Sequence, residues 1–252
     1  MFFFDCNVSF GVAPTPVLSY AKTAGALLAE MDWNGIDEAL VTCAAQHFDS
    51  PLVGNPLLIE RLAGCPRLHP AWAILPSQTG EMEVDTLLDG MRANGVCALW
   101  AWPSEHHYLL DALTMGPLLE ELVARRIPLF LPLPEYGGRA SGWTAVGALL
   151  RDFPELTLVA TNQSVWGEDR YFRPLVERYP NFYIETSHYE LAHGLRDLVK
   201  RYGAERWLFA TGYPIRYMGG AVMQLLHADI PPAAVEAIAA GNLRRLLKEV
   251  RL

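Results

Sequence analysis

Short apolar runs alternate with longer amphipathic ones along the whole chain. Runs of four to six residues read as buried strands: Phe2–Cys6, Glu38–Thr42, Pro70–Leu75, Val96–Trp100, Pro128–Leu131, Leu156–Thr161, Phe182–Thr186 and Trp207–Thr211. The longer stretches between them read as helices: Val17–Met31, Pro56–Ala63, Glu81–Ala93, Met115–Arg125, Thr144–Asp152, Arg173–Arg178, Leu191–Tyr202 and Ala221–His227. Two short helices, near Pro232–Ala239 and Asn242–Val250, end the sequence. Arg126-Ile127-Pro128 and Tyr179-Pro180-Asn181 each stop a helix before a strand, because proline disfavours the helical conformation of the residue before it. Gly95 and Gly203 stand where a left-handed helix cap fits. Eight strands, each followed by a helix and with no long linker, predict a closed (β/α)8 TIM barrel spanning residues 1–252 as one domain. An open doubly wound sheet is the competing layout, but no Gly-x-Gly-x-x-Gly follows the first strand.

Composition narrows the function classes. Half of the 252 residues are hydrophobic and 19% are charged, enough apolar material for a large core and too little charge for disorder. The net charge is −8 and no basic run is interleaved with aromatics, so a nucleic-acid partner is not expected. Arg125-Arg126 and Arg244-Arg245 fall near helix C-termini, where cations suit the helix dipole. Phe2-Phe3-Phe4 has no basic lead and is cut short by Asp5, unlike a signal peptide, and no apolar stretch approaches the ~20 residues of a membrane span. Cys6, Cys43, Cys65 and Cys97 form no Cys-x-x-Cys pair, so a reducing cytoplasm is the expected compartment.

In such a barrel the functional face is the ring of strand C-termini. Asn7 and Ser9, two apart on an extended strand, look the same way into that face. Later strand ends add Cys43, Gln46 and His47; Trp100, Trp102, His106 and His107; Glu135; Asn162 and Trp166; Glu185 and His188; then Thr211, Gly212, Tyr213 and Arg216. The ring is aromatic and hydrogen-bonding with few charges, which suits a small organic ligand better than a polyphosphate.

Four motifs in order resemble the amidohydrolase-2 family of metal-dependent (β/α)8 barrels. Asp5-Cys6-Asn7-Val8-Ser9-Phe10-Gly11 resembles its opening Asp-x-His-x-His-x-Gly. Pro154 to Asn162 resembles its sixth strand, which ends in histidine, and Trp207 to Pro214 resembles its eighth, Phe-Gly-Ser/Thr-Asp-x-Pro. Gly241-Asn242 resembles the start of its closing helix. The resemblance implies a barrel fold, hydrolase or decarboxylase chemistry and a homodimer. It also places the family's metal-binding positions at Asn7, Ser9, Pro132, Asn162 and Gly212, none of which offers an imidazole, thiolate or carboxylate. The expectation is therefore a barrel with no metal and no cofactor.

The remaining chemistry is spread over several groups. His188 is the candidate catalytic residue, an acid or base that needs a polar partner such as Glu185 or Glu135. Adjacent residues in an extended segment point oppositely, so of His106 and His107 one is expected in the pocket, and His107 is taken. The candidate pocket is Asn7, Ser9, His47, Trp100, Trp102, His107, Glu135, Asn162, Trp166, Glu185, Tyr213 and Arg216, with Arg216 either clamping a ligand carboxylate or pairing with a surface acid. Two functional readings follow. One is a metal-independent hydrolase or decarboxylase-type lyase acting on a small carboxylate or lactone. The other is an inactive homologue that binds a small molecule or serves as a structural or regulatory partner. Trp100, Trp102 and Trp166 discriminate: they either wall an open mouth or plug it.

Overall fold

The alternating pattern closes into a ring of parallel strands, a TIM barrel. The structure, a computed structural model, describes residues 1–14, 20–133, 139–163 and 168–252, with the side chains of residues 139–141 left aside. In chain order the elements are β1 (Phe4–Phe10), α1 (Ala24–Asn34), β2 (Glu38–Cys43), α2 (Ala44–Phe48), α3 (Pro51–Leu62), β3 (Leu68–Pro70), β4 (Trp72–Ala73), α4 (Val84–Asn94), β5 (Leu99–Trp100), α5 (Ala112–Arg125), β6 (Leu129–Pro132) and α6 (Arg139–Asp152). Then come β7 (Leu158–Thr161), α7 (Asp169–Arg178), β8 (Phe182–Glu185), α8 (Gly194–Tyr202), β9 (Trp207–Leu208), α9 (Met218–Leu226), α10 (Pro232–Glu236) and α11 (Asn242–Lys248), the last two joined by a π-helical turn at Ala237–Gly241.

The strands pair in sequence order, β1-β2-β3 and then β4 through β9. β3 and β4 are two halves of the third stave, which changes partner at Ala71: Ala71 N donates to Val41 O at 3.0 Å and Trp72 N to Ala98 O at 3.1 Å. The seam closes through Cys6 N to Phe209 O at 3.0 Å, Gly212 N to Asn7 O at 3.1 Å and Ser9 N to Tyr213 O at 3.0 Å. Inside the ring lie Phe4, Cys6, Leu40, Ala98, Phe130 and Leu208, all buried. A second, larger apolar layer fills the space between strands and helices.

One irregularity sets the direction of the first strand. The β1–β2 register slips between Asp5 and Val8, which is a bulge. Before it, Phe4 and Cys6 belong to the barrel interior; after it, Val8 and Phe10 belong to the outer layer. The slip therefore exchanges the inward and outward sets and turns Asn7 and Ser9 towards the mouth.

The prediction missed α2 and misplaced the start of α3. α3 begins at Pro51, capped by Ser50 Oγ accepting from Leu52 N at 3.2 Å, and contains Pro56 within it. Pro56 looks like a helix start because proline is favoured there, but the helix absorbs the one lost backbone bond. α1 begins at Ala24 behind the Thr23 cap, and its predicted start at Val17 lies outside the described residues. β1 continues past Cys6 to Phe10.

α2 and α3 patch the break in the third stave with side chains. Gln46, fully buried, donates from Nε2 to Asn55 Oδ1 at 2.8 Å and Ala71 O at 2.9 Å, and its Oε1 accepts from Cys43 N at 2.8 Å. Asn55 accepts from Ala73 N and donates to Ala73 O, both at 2.9 Å. At the other end of the chain, Asn242 Nδ2 donates to Ala204 O at 2.7 Å and Trp207 O at 2.9 Å, tying the closing helix to β9.

The α2–α3 contact is tight enough to exclude a methyl group. A Cβ on Gly54 would collide with the backbone N and Cα of Gln46, whereas one on Gly25, exposed in α1, would meet nothing within 4 Å. Gly54→Ala is expected to lower unfolding free energy by about 3 kcal/mol through overpacking. Gly25→Ala should raise it by ~0.5–1 kcal/mol through helix propensity. Urea melts of both variants check the pair, and equal effects would remove the argument.

Candidate functional site

At the C-terminal ends of the strands lies a cavity of about 340 Å³. β1 supplies Asn7 and Ser9, α2 supplies His47 and Phe48, and the β5 end supplies Trp100 and Trp102. Pro132, Asn162 and His188 line it from β6, β7 and the segment after β8, and Gly212 to Ile215 complete the ring.

One wall is a column of rings. Phe130 and Trp100 stack at 5.3 Å and 15°, Trp100 and Trp102 at 5.5 Å and 21°, and Trp102 and His47 at 4.7 Å and 19°. Phe48 caps the column 4.1 Å from His47. The faces are largely spent on one another, so the wall is rigid and apolar. His106 holds it from outside, donating from Nε2 to His47 O at 3.1 Å.

The opposite side is polar. Asn7 Nδ2 donates to Asn162 Oδ1 at 3.1 Å across the mouth. Asn162 sits in the left-handed region at φ 59°, which asparagine tolerates better than most residues. Beneath these amides lies Glu185, fully buried. Its Oε1 accepts from Asn162 N at 2.6 Å and Ser187 Oγ at 2.9 Å, its Oε2 from Ser187 N at 2.6 Å, and the Asn7 amide also reaches it. Its own carbonyl accepts from Gln163 Nε2. Burial pushes the Glu185 carboxyl above its ordinary value, against the pull of these donors. Asp5 repeats the arrangement at the seam: Oδ1 accepts from Asn7 N and Thr211 N, each at 3.0 Å, and Oδ2 from Thr211 Oγ1 at 2.5 Å. Burial pushes the Asp5 carboxyl up to about 7, opposed by these hydrogen bonds and helped by the neighbouring Glu185 charge.

The structure gathers Asn7, Ser9, His47, Trp100, Trp102, Asn162, His188 and Tyr213 around the cavity. The Tyr213 hydroxyl accepts from Ala21 N at 2.6 Å. Three expectations are corrected or moved. His107 is exposed at φ 56°, and it is His106 that turns inward, because the turn after β5 is not extended. Arg216 does not face the cavity: it pairs with Glu190 and lines a neighbouring hollow shared with His188 and Ile215. Glu185 lies under the floor rather than on it. Glu135 and Trp166 lie outside the described residues. Asp5 and Thr42 are not among the site groups expected from the sequence, although Asp5 orders the seam and Thr42 lines the mouth. The interruption of an apolar strand by an acid was the signal for Asp5.

The donor chemistry can be tested against a divalent cation. Among the described residues, no three His, Cys, Asp or Glu side chains come together as a metal-binding group. The mouth offers two imidazoles, His47 stacked in the ring column and His188, with no third His, Cys, Asp or Glu grouped with them among the described residues; its other donors are hydroxyls and two amides, one bonded to the other. The carboxylates of Asp5 and Glu185 already accept from backbone and hydroxyl donors below. Zinc and manganese sites gather three or more imidazole, thiolate or free carboxylate ligands, and the described lining residues do not bring three together.

The family model described as Amidohydrolase matches residues 57–248. No curated protein matches the sequence. Among solved structures, an uncharacterised TIM-barrel protein, Bb4693 from Bordetella bronchiseptica, is 20% identical over 99% of each chain with a TM-score of 0.75. A 2,6-dihydroxybenzoate decarboxylase from Rhizobium is 19% identical over 98% of each chain, TM-score 0.77. A dihydroxybenzoic acid decarboxylase from Polaromonas sp. JS666, with bound manganese and the inhibitor 2-nitroresorcinol, is 18% identical over 100% of this chain and 98% of that one, TM-score 0.76. No helix among the described residues is long and apolar enough to cross a membrane.

The buried acids give stability a pH dependence. Between 3.8 and about 7 the folded chain keeps the Asp5 proton that the unfolded chain has released. Stability from this group is therefore present below pH 3.8 and lost as pH rises to about 7. Asp5→Asn keeps the acceptor for both N–H groups, and the Thr211 hydroxyl can accept from the new amide. Its unfolding free energy, followed by urea melts, should fall less steeply over that window than that of the parent, with the Glu185 contribution remaining. An unchanged slope would remove Asp5 as a source.

Proposed function

The chain belongs to the amidohydrolase family, and we propose that its barrel mouth binds a small aromatic molecule without a resident metal ion. The observation that carries this reading is the open cavity of about 340 Å³ with a stacked aromatic wall on one side and neutral hydrogen-bonding groups on the other. A mouth plugged by indole rings would leave no such space. Pockets of a few hundred Å³, mostly apolar with a few convergent polar groups, suit one ring and its substituents. The decarboxylases of similar fold are named for benzenoid acids, which supports an aromatic ligand class here.

A second reading, a metal-independent hydrolase or lyase, rests on His188. Its Nε2 lies 3.7 Å from where a Cβ on Gly212 would be, so the imidazole occupies the side of the mouth that the resemblance gives to an acid. There it can pass a proton to or from a bound ligand.

A panel of aromatic acids, phenols and amides, read by thermal shift and tryptophan fluorescence, tests both. A ligand at about a hundred times its Kd stabilises by ~2.7 kcal/mol, which is several degrees in Tm for a chain this long. Trp102→Ala is expected to lose the shift, because it removes the centre of the ring column. Stoichiometric zinc or manganese in protein purified without chelator would overturn the metal-free reading. A panel with no saturable shift would overturn the binding reading. Where any panel member is turned over, His188→Gln should lower kcat by at least ~100-fold with KM nearly unchanged.

A further inference from the structure

The Asn7–Asn162 pair is closed on one side only. Asn7 Nδ2 donates to Asn162 Oδ1 at 3.1 Å, and no hydrogen bond returns from Asn162 Nδ2 to Asn7 Oδ1. Those two atoms have no partner among the described residues, and neither is sealed from the cavity that both residues line. Their orientation is fixed from below. Asn162 is held by its backbone N–H donating to Glu185 Oε1 at 2.6 Å, and the Asn7 amide turns its nitrogen to Asn162 on the Glu185 side, which leaves Asn7 Oδ1 as the open acceptor. Reversing both amides together would still leave one donor and one acceptor facing the space.

We infer that the site recognises an aromatic molecule through a cis-amide edge, a lactam or a primary carboxamide. This rests on the binding reading above. The ligand carbonyl accepts from Asn162 Nδ2, and the ligand N–H on the same edge donates to Asn7 Oδ1. Among amides, only one with both groups on one edge can do this. Acyclic secondary amides hold them on opposite edges, because their cis form costs ~2.5–4 kcal/mol. An ionised carboxylate offers two acceptors and would set one of them against Asn7 Oδ1. It would also meet no Lys or Arg among the described lining residues and two buried acids beneath the floor. Arg216, the counter-charge expected from the sequence, is paired with Glu190 and lines a neighbouring hollow. The aromatic body rests against the Trp100–Trp102–His47 wall, where ring edges and offset faces offer tilted contacts.

Benzamide, the nearly isosteric benzoate, and N,N-dimethylbenzamide as the amide without an N–H separate the possibilities by calorimetric titration. Benzamide is expected to bind at least about tenfold tighter than either of the others, the weight of one buried hydrogen bond or one unpaired acceptor. Asn162→Gly suits the left-handed backbone at that position and removes the donor; it should bring benzamide to the level of the dimethyl compound. Benzoate binding as tightly as benzamide, or all three binding alike, overturns the amide edge and leaves the pocket in place. No binding by any of the three overturns the amide edge and counts against the pocket itself, which the wider panel then decides.

Discussion

A carboxylate without a charged partner closes this barrel. Asp5 stands on the first stave and Thr211 just beyond the last, 206 residues apart, and three hydrogen bonds join them with Asn7 at the seam. Burying a carboxylate is costly unless donors replace water, and here two backbone N–H groups and a hydroxyl do so. Thr211 Oγ1 also accepts from Tyr213 N at 3.2 Å, and the Tyr213 hydroxyl accepts from Ala21 N at 2.6 Å. A single buried acid thus fixes the first stave, the last stave and the approach to α1. Glu185 repeats the device between the sixth and seventh staves, bonding Asn162 N and Ser187 N.

The two acids matter because the strands end where they act. Past the last ladder bonds, backbone N–H groups at the mouth have no neighbouring strand to pair with, and an unpaired buried donor is rarely tolerated. Asp5 and Glu185 take those donors. The loops can then leave the ladder in non-strand conformations, Asn162 at φ 59° and Gly212 at φ 69°, without leaving donors unpaired. The side chains that line the cavity inherit that order. Asn7 is aimed by the bulge, held by Asp5 at its backbone and by Glu185 at its amide.

The barrel itself was legible from the alternation of short apolar and long amphipathic runs, because parallel strands buried on both faces need continuous apolar sequence. Asn7 and Ser9 were found by their spacing of two, and Trp100, Trp102, Asn162 and His188 by falling at strand ends. What escaped depends on long-range packing. α2 is five residues long, too short for any period, and is held by Gln46 reaching Asn55 and Ala71 rather than by helix propensity. The choice between His106 and His107 turned on one left-handed residue, and the depth of Glu185 on a partner 23 positions away. Arg216 stays open in the sequence between a ligand carboxylate and a surface acid, because a sequence shows a cation without showing which acid reaches it; the fold brings Glu190 to it.

Gly212 shows how the scaffold and the chemistry constrain one another. Its φ of 69° disfavours a side chain, and a Cβ there would stand 3.2 Å from both Cβ and Oγ of Ser187. Making room means moving Ser187, whose N–H and hydroxyl hold Glu185. Shifting Glu185 releases Asn162 N and the Asn7 amide, and with them the bond that spans the mouth. An acidic group at position 212 thus pulls against the present amide pair: adding it displaces Ser187 by a few tenths of an ångström and strains the bonds that hold Glu185. A carboxylate on this stave would therefore ask the segment after β8 to move with it, so the backbone at Gly212 and the hydrogen bonds around Glu185 constrain one another.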